Sequence, residues 1–273
     1  MQGTTADQWK QQDYWSVLLA GVQKGAGKTT IALSAPTPIA VVSCDLGRLS
    51  IPPSVAKSQI LVLPYHELTR VMGDMGTSVP QKDIYVKLMR ELTEVWRAVK
   101  KGEPIKLESG LEFPTPKTVV LDGLSRLNTM LVDGKCALNG LLYADDLPKE
   151  ARFKFWGTRL ADVLSLTQQF ASLPCNVVLT AWVDPKNDAE GKPTGVWLPD
   201  IGGKMDLLTA GLVSAALYCY SRAGKFYVRP KSDAAYPWCG IRGEYNLPND
   251  IEVTIGADGK LPWEKIFSVA KGT

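Results

Sequence analysis

The stretch WSVLLAGVQKGAGKTT, residues 15–30, carries the most legible chemistry in this chain. An apolar run enters a glycine-rich loop, and IALSA continues as the start of a helix. Backbone N–H groups converge on an anion only where glycine lets the main chain come close. Gln23, Lys24, Gly25, Ala26, Gly27, Lys28, Thr29 and Thr30 are therefore expected to cradle nucleotide phosphates. In that reading Lys28 meets the β- and γ-phosphates and the Thr29 hydroxyl ligates Mg2+. The competing reading is a glycine-rich turn before an unrelated helix. The pattern G-x-x-x-x-G-K-[ST] is met with one departure: Val22 stands six residues before Lys28, where a glycine is expected, and Gly21 is one place earlier. Either the loop is one residue longer, or Val22 takes the first glycine's place.

A second signal is KTVVLDGL, residues 117–124. A β-branched and apolar run ending in Asp122 suits a strand whose terminal carboxylate holds a metal's water shell at the edge of a sheet. Asp122 could instead serve as the N-cap of a helix over 123–131.

Composition removes several classes. The chain has 273 residues, with Lys+Arg 31 against Asp+Glu 28 for a net charge of +3, and it is 45% hydrophobic and 22% charged. That is long enough to bury a core without disulfide or metal, and it excludes disorder as the main state. Cys44, Cys136, Cys175, Cys219 and Cys239 form no C-x-x-C pair and match no zinc framework, so reduced thiols are expected. A lone histidine, His66, makes a Ser-His-Asp mechanism improbable and reads as a surface or half-buried residue. Apolar runs fall short of a membrane span, and MQGTTADQWKQQD lacks a signal peptide's apolar core, so a cytoplasmic location is expected.

The elements that must position these residues alternate between short apolar runs and amphipathic stretches, which argues for an α/β fold with a mainly parallel sheet flanked by helices. Residues 16–20, 39–43, 60–63, 118–121, 177–181 and 212–220 read as strands, and their unbroken apolar character suits strands covered on both faces. Helices are expected over 81–101 and 149–173, the second stopped by Pro174. Residues 102–116, 133–148 and 184–203 read as loops, the first with room for a hairpin. The last holds four Gly and three Pro, a length and composition that suits a lid or binding loop. Residues 225–230 are expected to pair with 212–220 through the turn at 222–224, and a short helix over 262–270 closes the chain. Packing of the strand pair accounts for Tyr218, Tyr220, Phe226 and Tyr227 better than base stacking does. No linker is evident, so one domain is expected, with a core over 14–220 and a C-terminal β extension over 221–273.

In its order of elements the chain resembles a RecA-like P-loop ATPase, and more closely the phage-encoded, AAA-type ATPases tied to recombination and single-strand annealing. The resemblance spans nearly the whole chain, but only the phosphate loop is a specific motif. It implies ATP and Mg2+ as ligands, single-stranded DNA as a partner and a homo-oligomer as the working form. It implies that Asp45, after the strand IAVVS, orients the attacking water, where RecA-like proteins more often carry Glu; a turn residue before Gly47 is the competing reading. Thr180 would sense the γ-phosphate. The loop over 184–204 would be a DNA-contacting loop offering Lys186, Lys192, Trp197 and Lys204, a positive character diluted by Asp184, Asp188, Glu190 and Asp200. Arg229 and Lys231, two residues apart, would reach a neighbouring subunit's ATP site, with Arg242 a further candidate; a solvated basic edge strand is the alternative. A small-molecule kinase and a nucleotide-gated scaffold with little turnover use the same loop. A kinase lid is usually rich in Arg, and residues 184–203 contain none.

Overall fold

The computed structural model describes residues 14–22, 24–45, 49–65, 81–141, 146–202, 205–243, 246–255 and 259–270. Gln23, Gly47, His66 and Lys204, named above, lie outside the described residues.

The chain builds a large, mostly parallel sheet flanked by helices. β1 (Ser16–Gly21) leads through the glycine-rich loop to α1 (Lys28–Ala32), followed by β2 (Ile39–Ser43) and β3 (Ile60–Pro64). After α2 (Gln81–Lys101) comes the small hairpin of β4 (Ile105–Lys106) and β5 (Glu112–Phe113), then β6 (Thr118–Asp122), α3 (Leu124–Leu138) and α4 (Lys149–Ala171). β7 (Asn176–Asn187), β8 (Pro193–Pro199) and α5 (Met205–Leu212) precede β9 (Ala215–Arg222) and β10 (Lys225–Arg229). The short β11 (Gly240–Ile241), β12 (Ile251–Glu252) and the closing α6 (Pro262–Ala270) complete the described chain. The strand order is β12-β10-β9-β1-β7-β6-β2-β3. Pairings from β9 through β3 are parallel, whereas β10 and β11 each join β9 antiparallel and β12 joins β10 antiparallel.

Strand alternation divides the core into two layers. Val17 and Leu19 of β1 face the side holding Ile31 of α1 and Ile266 of α6, while Leu18 and Ala20 face the side holding Leu88 of α2, Leu127 of α3 and Phe170 of α4. Every residue of β2 and of β6 is buried, which is why these strands read as continuous apolar runs. α2 ends as its sequence predicts, with Lys100 and Lys101 in the last turn and Gly102 at φ 69°. α1 is shorter than an extended helical start would give, because Pro36 and Pro38 follow and cannot continue it.

Three expectations need correction. Residues 184–203 are not an irregular loop: β7 continues to Asn187 and pairs antiparallel with β8, with a register shift between Pro185 and Asn187. The turn is closed by Asp188, whose carboxylate accepts from the N–H groups of Glu190 and Lys192, and by Gly191 at φ 81°. The expected strand over 212–220 is two elements. Leu212 ends α5, and the strand begins only at Ala215. The Asp206 carboxylate accepts from the N–H groups of Ile201 and Gly202, fixing the start of that helix. Residues 133–138 belong to α3 rather than to a loop, because Gly134 and Cys136 keep facing the core. The turn joining β9 to β10 falls where expected, and Tyr220 pairs across it with Tyr227, their rings stacked 5.4 Å apart.

Candidate functional site at the carboxyl ends of the parallel strands

Parallel α/β sheets bind ligands beyond the carboxyl ends of their strands, where neighbouring connections leave in opposite directions. Here β1 connects across the sheet towards β2, whereas its neighbour β9 turns the other way into β10. Lys28, Thr29, Asp45, Asp122 and Thr180, singled out from the sequence, collect at this edge.

The loop begins at Gly21, the last residue of β1. A side chain there would place its Cβ 2.3 Å from the Cys219 carbonyl oxygen, so the position admits only glycine. Val22 is exposed at 42%. Gly21 is thus the tightly packed glycine where β1 enters the loop, and Val22 points to solvent. Gly25 and Gly27 have φ of 76° and 78°, and Ala26 between them is buried against the α1 side of the core. Lys28 folds back over the loop, its ammonium donating to the carbonyls of Val22 at 2.5 Å and Gly21 at 3.3 Å. Among the described residues, no main-chain carbonyl accepts from the amides of residues 24–29.

Asp122 ends β6, two strands from β1, with β7 between them. One of its oxygens, Oδ1, accepts from Thr180 Oγ1 of β7 at 2.8 Å and from Thr29 Oγ1 of α1 at 3.4 Å. The Thr180 hydroxyl in turn accepts from the Gly123 N–H at 2.7 Å. Gly123, at φ 94°, occupies the N-cap of α3 without any side-chain cap, so Asp122 is not that helix's cap. Asp45 lies just beyond β2, close enough that a Cβ on Gly123 would sit 3.0 Å from its own Cβ. Its Oδ2 accepts from the Trp182 indole N–H at 3.1 Å. Thr180 and Trp182 are two apart on β7 and so face the same side, which gathers Asp122 and Asp45 beside one strand.

Burial governs the electrostatics. It pushes the Asp122 carboxyl above the ordinary carboxylate range, and the Asp45 charge adds to this, while the Thr180 hydroxyl and Lys28 oppose it. Burial pulls the Lys28 ammonium below the usual lysine value, against the attraction of Asp45 and Asp122. The Cys219 thiol, buried beside Lys28, is pushed up to about 12 and stays protonated.

The remaining candidates do not gather here. Lys186 and Lys192 are exposed on the β7–β8 hairpin. Trp197 is half-buried with its side chain packed against the core, while its main-chain N–H donates to the Ala235 carbonyl and its own carbonyl accepts from the Trp238 indole. Arg229 is held by Asp250 at 3.1 Å and Asp233 at 2.7 Å. Lys231 lies past the end of β10 and past Pro230, exposed, so the two cations do not share one strand face. The Arg242 guanidinium donates to the Gly211 carbonyl.

Two contacts had no motif to announce them: Trp182 on Asp45, and the Phe226 ring on Gly27, where an added Cβ would meet the ring at 2.9 Å. The two-residue spacing from Thr180 was the one available signal for Trp182. No known protein family matches this chain, and no curated protein sequence does either. Among the described residues, no helix is long and apolar enough to cross a membrane.

Proposed function

We propose that the protein is a P-loop ATPase with a RecA-like core that binds Mg·ATP and hydrolyses it. The observation that supports this most is the link between Thr29 Oγ1 and Asp122 Oδ1, residues 93 apart in sequence, brought to 3.4 Å beside a loop whose amides meet no described carbonyl.

A hydroxyl and a carboxylate at one point are hard oxygen donors. Mg2+ is ordinarily held by one or two such groups together with substrate phosphates and water, so Thr29 and Asp122 fit that ion. When bound, the metal neutralises charge on the β- and γ-phosphates. The chain's own residues do the rest. Lys28 exchanges the carbonyls of Gly21 and Val22 for phosphate oxygens. Thr180 fixes the Asp122 carboxylate from the side of β7. Asp45, steadied by the Trp182 indole, orients a water for in-line attack and accepts its proton.

The wider reading is that the ATPase acts in phage DNA recombination or single-strand annealing, as a homo-oligomer stimulated by single-stranded DNA. It rests on the exposed Lys186 and Lys192 of the hairpin for DNA contact and on the exposed Lys231 as the cation offered to a neighbour, since Arg229 is already paired with two carboxylates.

The test is calorimetric ATP binding with Mg2+, together with turnover measured with and without single-stranded DNA and sizing with and without ATP. ATP binding that is lost in Lys28→Ala is the expected result. Absence of nucleotide binding by the native chain would refute the reading. Phosphoryl transfer to a small acceptor without DNA stimulation would replace hydrolysis with a kinase activity.

A further inference from the structure

Directly beyond the phosphate loop lies a cavity of about 180 Å³ that the reading above leaves unused. Its floor is Gly27, Thr30 and Ile31, the residues around and just after Lys28 and Thr29. Its other wall comes from the distant end of the chain: Phe226 of β10, Val253 and Ile255 after β12, and Pro262 at the start of α6. The walls are overwhelmingly apolar.

This wall is anchored by the main chain. The Phe226 N–H donates to the Thr254 hydroxyl at 2.8 Å, and the Val253 N–H donates to the Phe226 carbonyl at 2.8 Å. Lys265 of α6 donates to the Thr254 carbonyl at 2.8 Å. These bonds hold Phe226 so that its ring lies against Gly27. Ile255 is 40% exposed at the cavity's rim, so its side chain is open to a ligand that enters there.

We infer that this cavity receives the planar base of a nucleoside triphosphate, with Phe226 and Ile255 as the residues that grip it. The inference rests on the nucleotide reading of the loop. With the terminal phosphates at Lys28 and Thr29, the nucleotide extends past Thr30 and places its base against the ring of Phe226. A flat heteroaromatic group is the ligand class that fits, because every base offers a π-face to an aromatic ring whatever its edge carries. The C-terminal β extension is thereby part of the binding site: removing the base contact leaves a phosphate site and little more.

The experiment compares ATP with inorganic tripolyphosphate, each with Mg2+, on the full chain. Phe226→Ala and Ile255→Ser are expected to weaken ATP on the order of tenfold while leaving tripolyphosphate within about twofold of the native value. Ile255→Ser alters an exposed side chain, so it reports even where Phe226→Ala unfolds. If both variants leave ATP affinity unchanged, or weaken both ligands equally, the base pocket is wrong and the phosphate site stands. Equal native affinity for ATP and tripolyphosphate has the same meaning. If the native chain binds neither ligand, the phosphate reading fails and the pocket with it.

Discussion

Lys28 and Asp122 carry opposite charges at 8% and 5% exposure, and neither has enough partners to offset the loss of water. Folding moves both towards their neutral forms, with opposite consequences for stability. Asp122 has a raised value in the folded chain. Its favourable share is present below the ordinary carboxylate range and is lost as pH rises through the raised value. Lys28 has a lowered value, so its penalty is relieved only as pH rises through that value towards the ordinary lysine range. Asp122→Asn removes the first penalty. Without nucleotide it should melt above the native chain at neutral pH, by a margin that shrinks as pH falls towards about 4, and it should lose Mg·ATP binding. A variant that melts lower at every pH would show that the carboxylate is needed for packing, not for a ligand. Trp182→Phe keeps the ring and deletes the indole donor to Asp45, so kcat should fall about tenfold or more while the KM for ATP holds. A fall in affinity instead would move Asp45 from water positioning to binding.

Helices and strands differ in how plainly they announce themselves. β2 and β6 are readable because both of their faces are buried, which leaves no polar residue to interrupt the run. The β7–β8 hairpin is not, because Pro185, Pro193, Gly195 and Pro199 are strand-breaking types that an edge pairing with a bulge tolerates. Lys28 and Thr29 are legible because they stand in a short glycine-rich motif and Asp122 because it ends an apolar run, whereas the contact of Asp45 with Trp182 joins residues 137 apart and leaves no local trace. Packing between α2 and α3 gives a sharp test of sign. Gly134 lies inside α3, where alanine ordinarily favours a helix by about 1 kcal/mol. A Cβ there would fall 2.4 Å from both Cβ and Cδ2 of Tyr85 on α2. Gly134→Ala should therefore destabilise the fold by about 1–3 kcal/mol in denaturant titration, reversing the propensity. A gain in stability would mean that α2 shifts away from α3 at little cost.

For the molecule as a whole, the α1 side of the sheet is the thinner layer. It depends on α6, where Trp263 and Phe267 pack 4.4 Å apart, Phe267 stacks on Trp15 at 4.5 Å, and the Trp263 N–H donates to Ser34 Oγ at 3.0 Å. Phe267→Ala should cost about 3–5 kcal/mol, read as a drop in the denaturation midpoint, because the buried ring is packed between Trp15 and Trp263 and its loss leaves a hole in that layer. Mg·ATP at a hundredfold excess over its Kd should return about 2.7 kcal/mol to the native chain, raising Tm by roughly 5–10 °C. No such rise is expected in Lys28→Ala.

β7 is a single strand whose inner half is sealed in the sheet and whose outer half stands in the hairpin, from Thr180 against Asp122 to Lys186 in water. The two ends are six residues apart, about 20 Å of extended backbone with no joint but the bulge near Pro185. A tug on the tip is therefore conveyed along a stiff rod to the hydroxyl beside the carboxylate. Whatever grasps the hairpin from outside is mechanically in touch with the sheet edge where Asp122 and Asp45 gather, and a flexible graft inserted at 185–187 would cut that connection while leaving both ends intact.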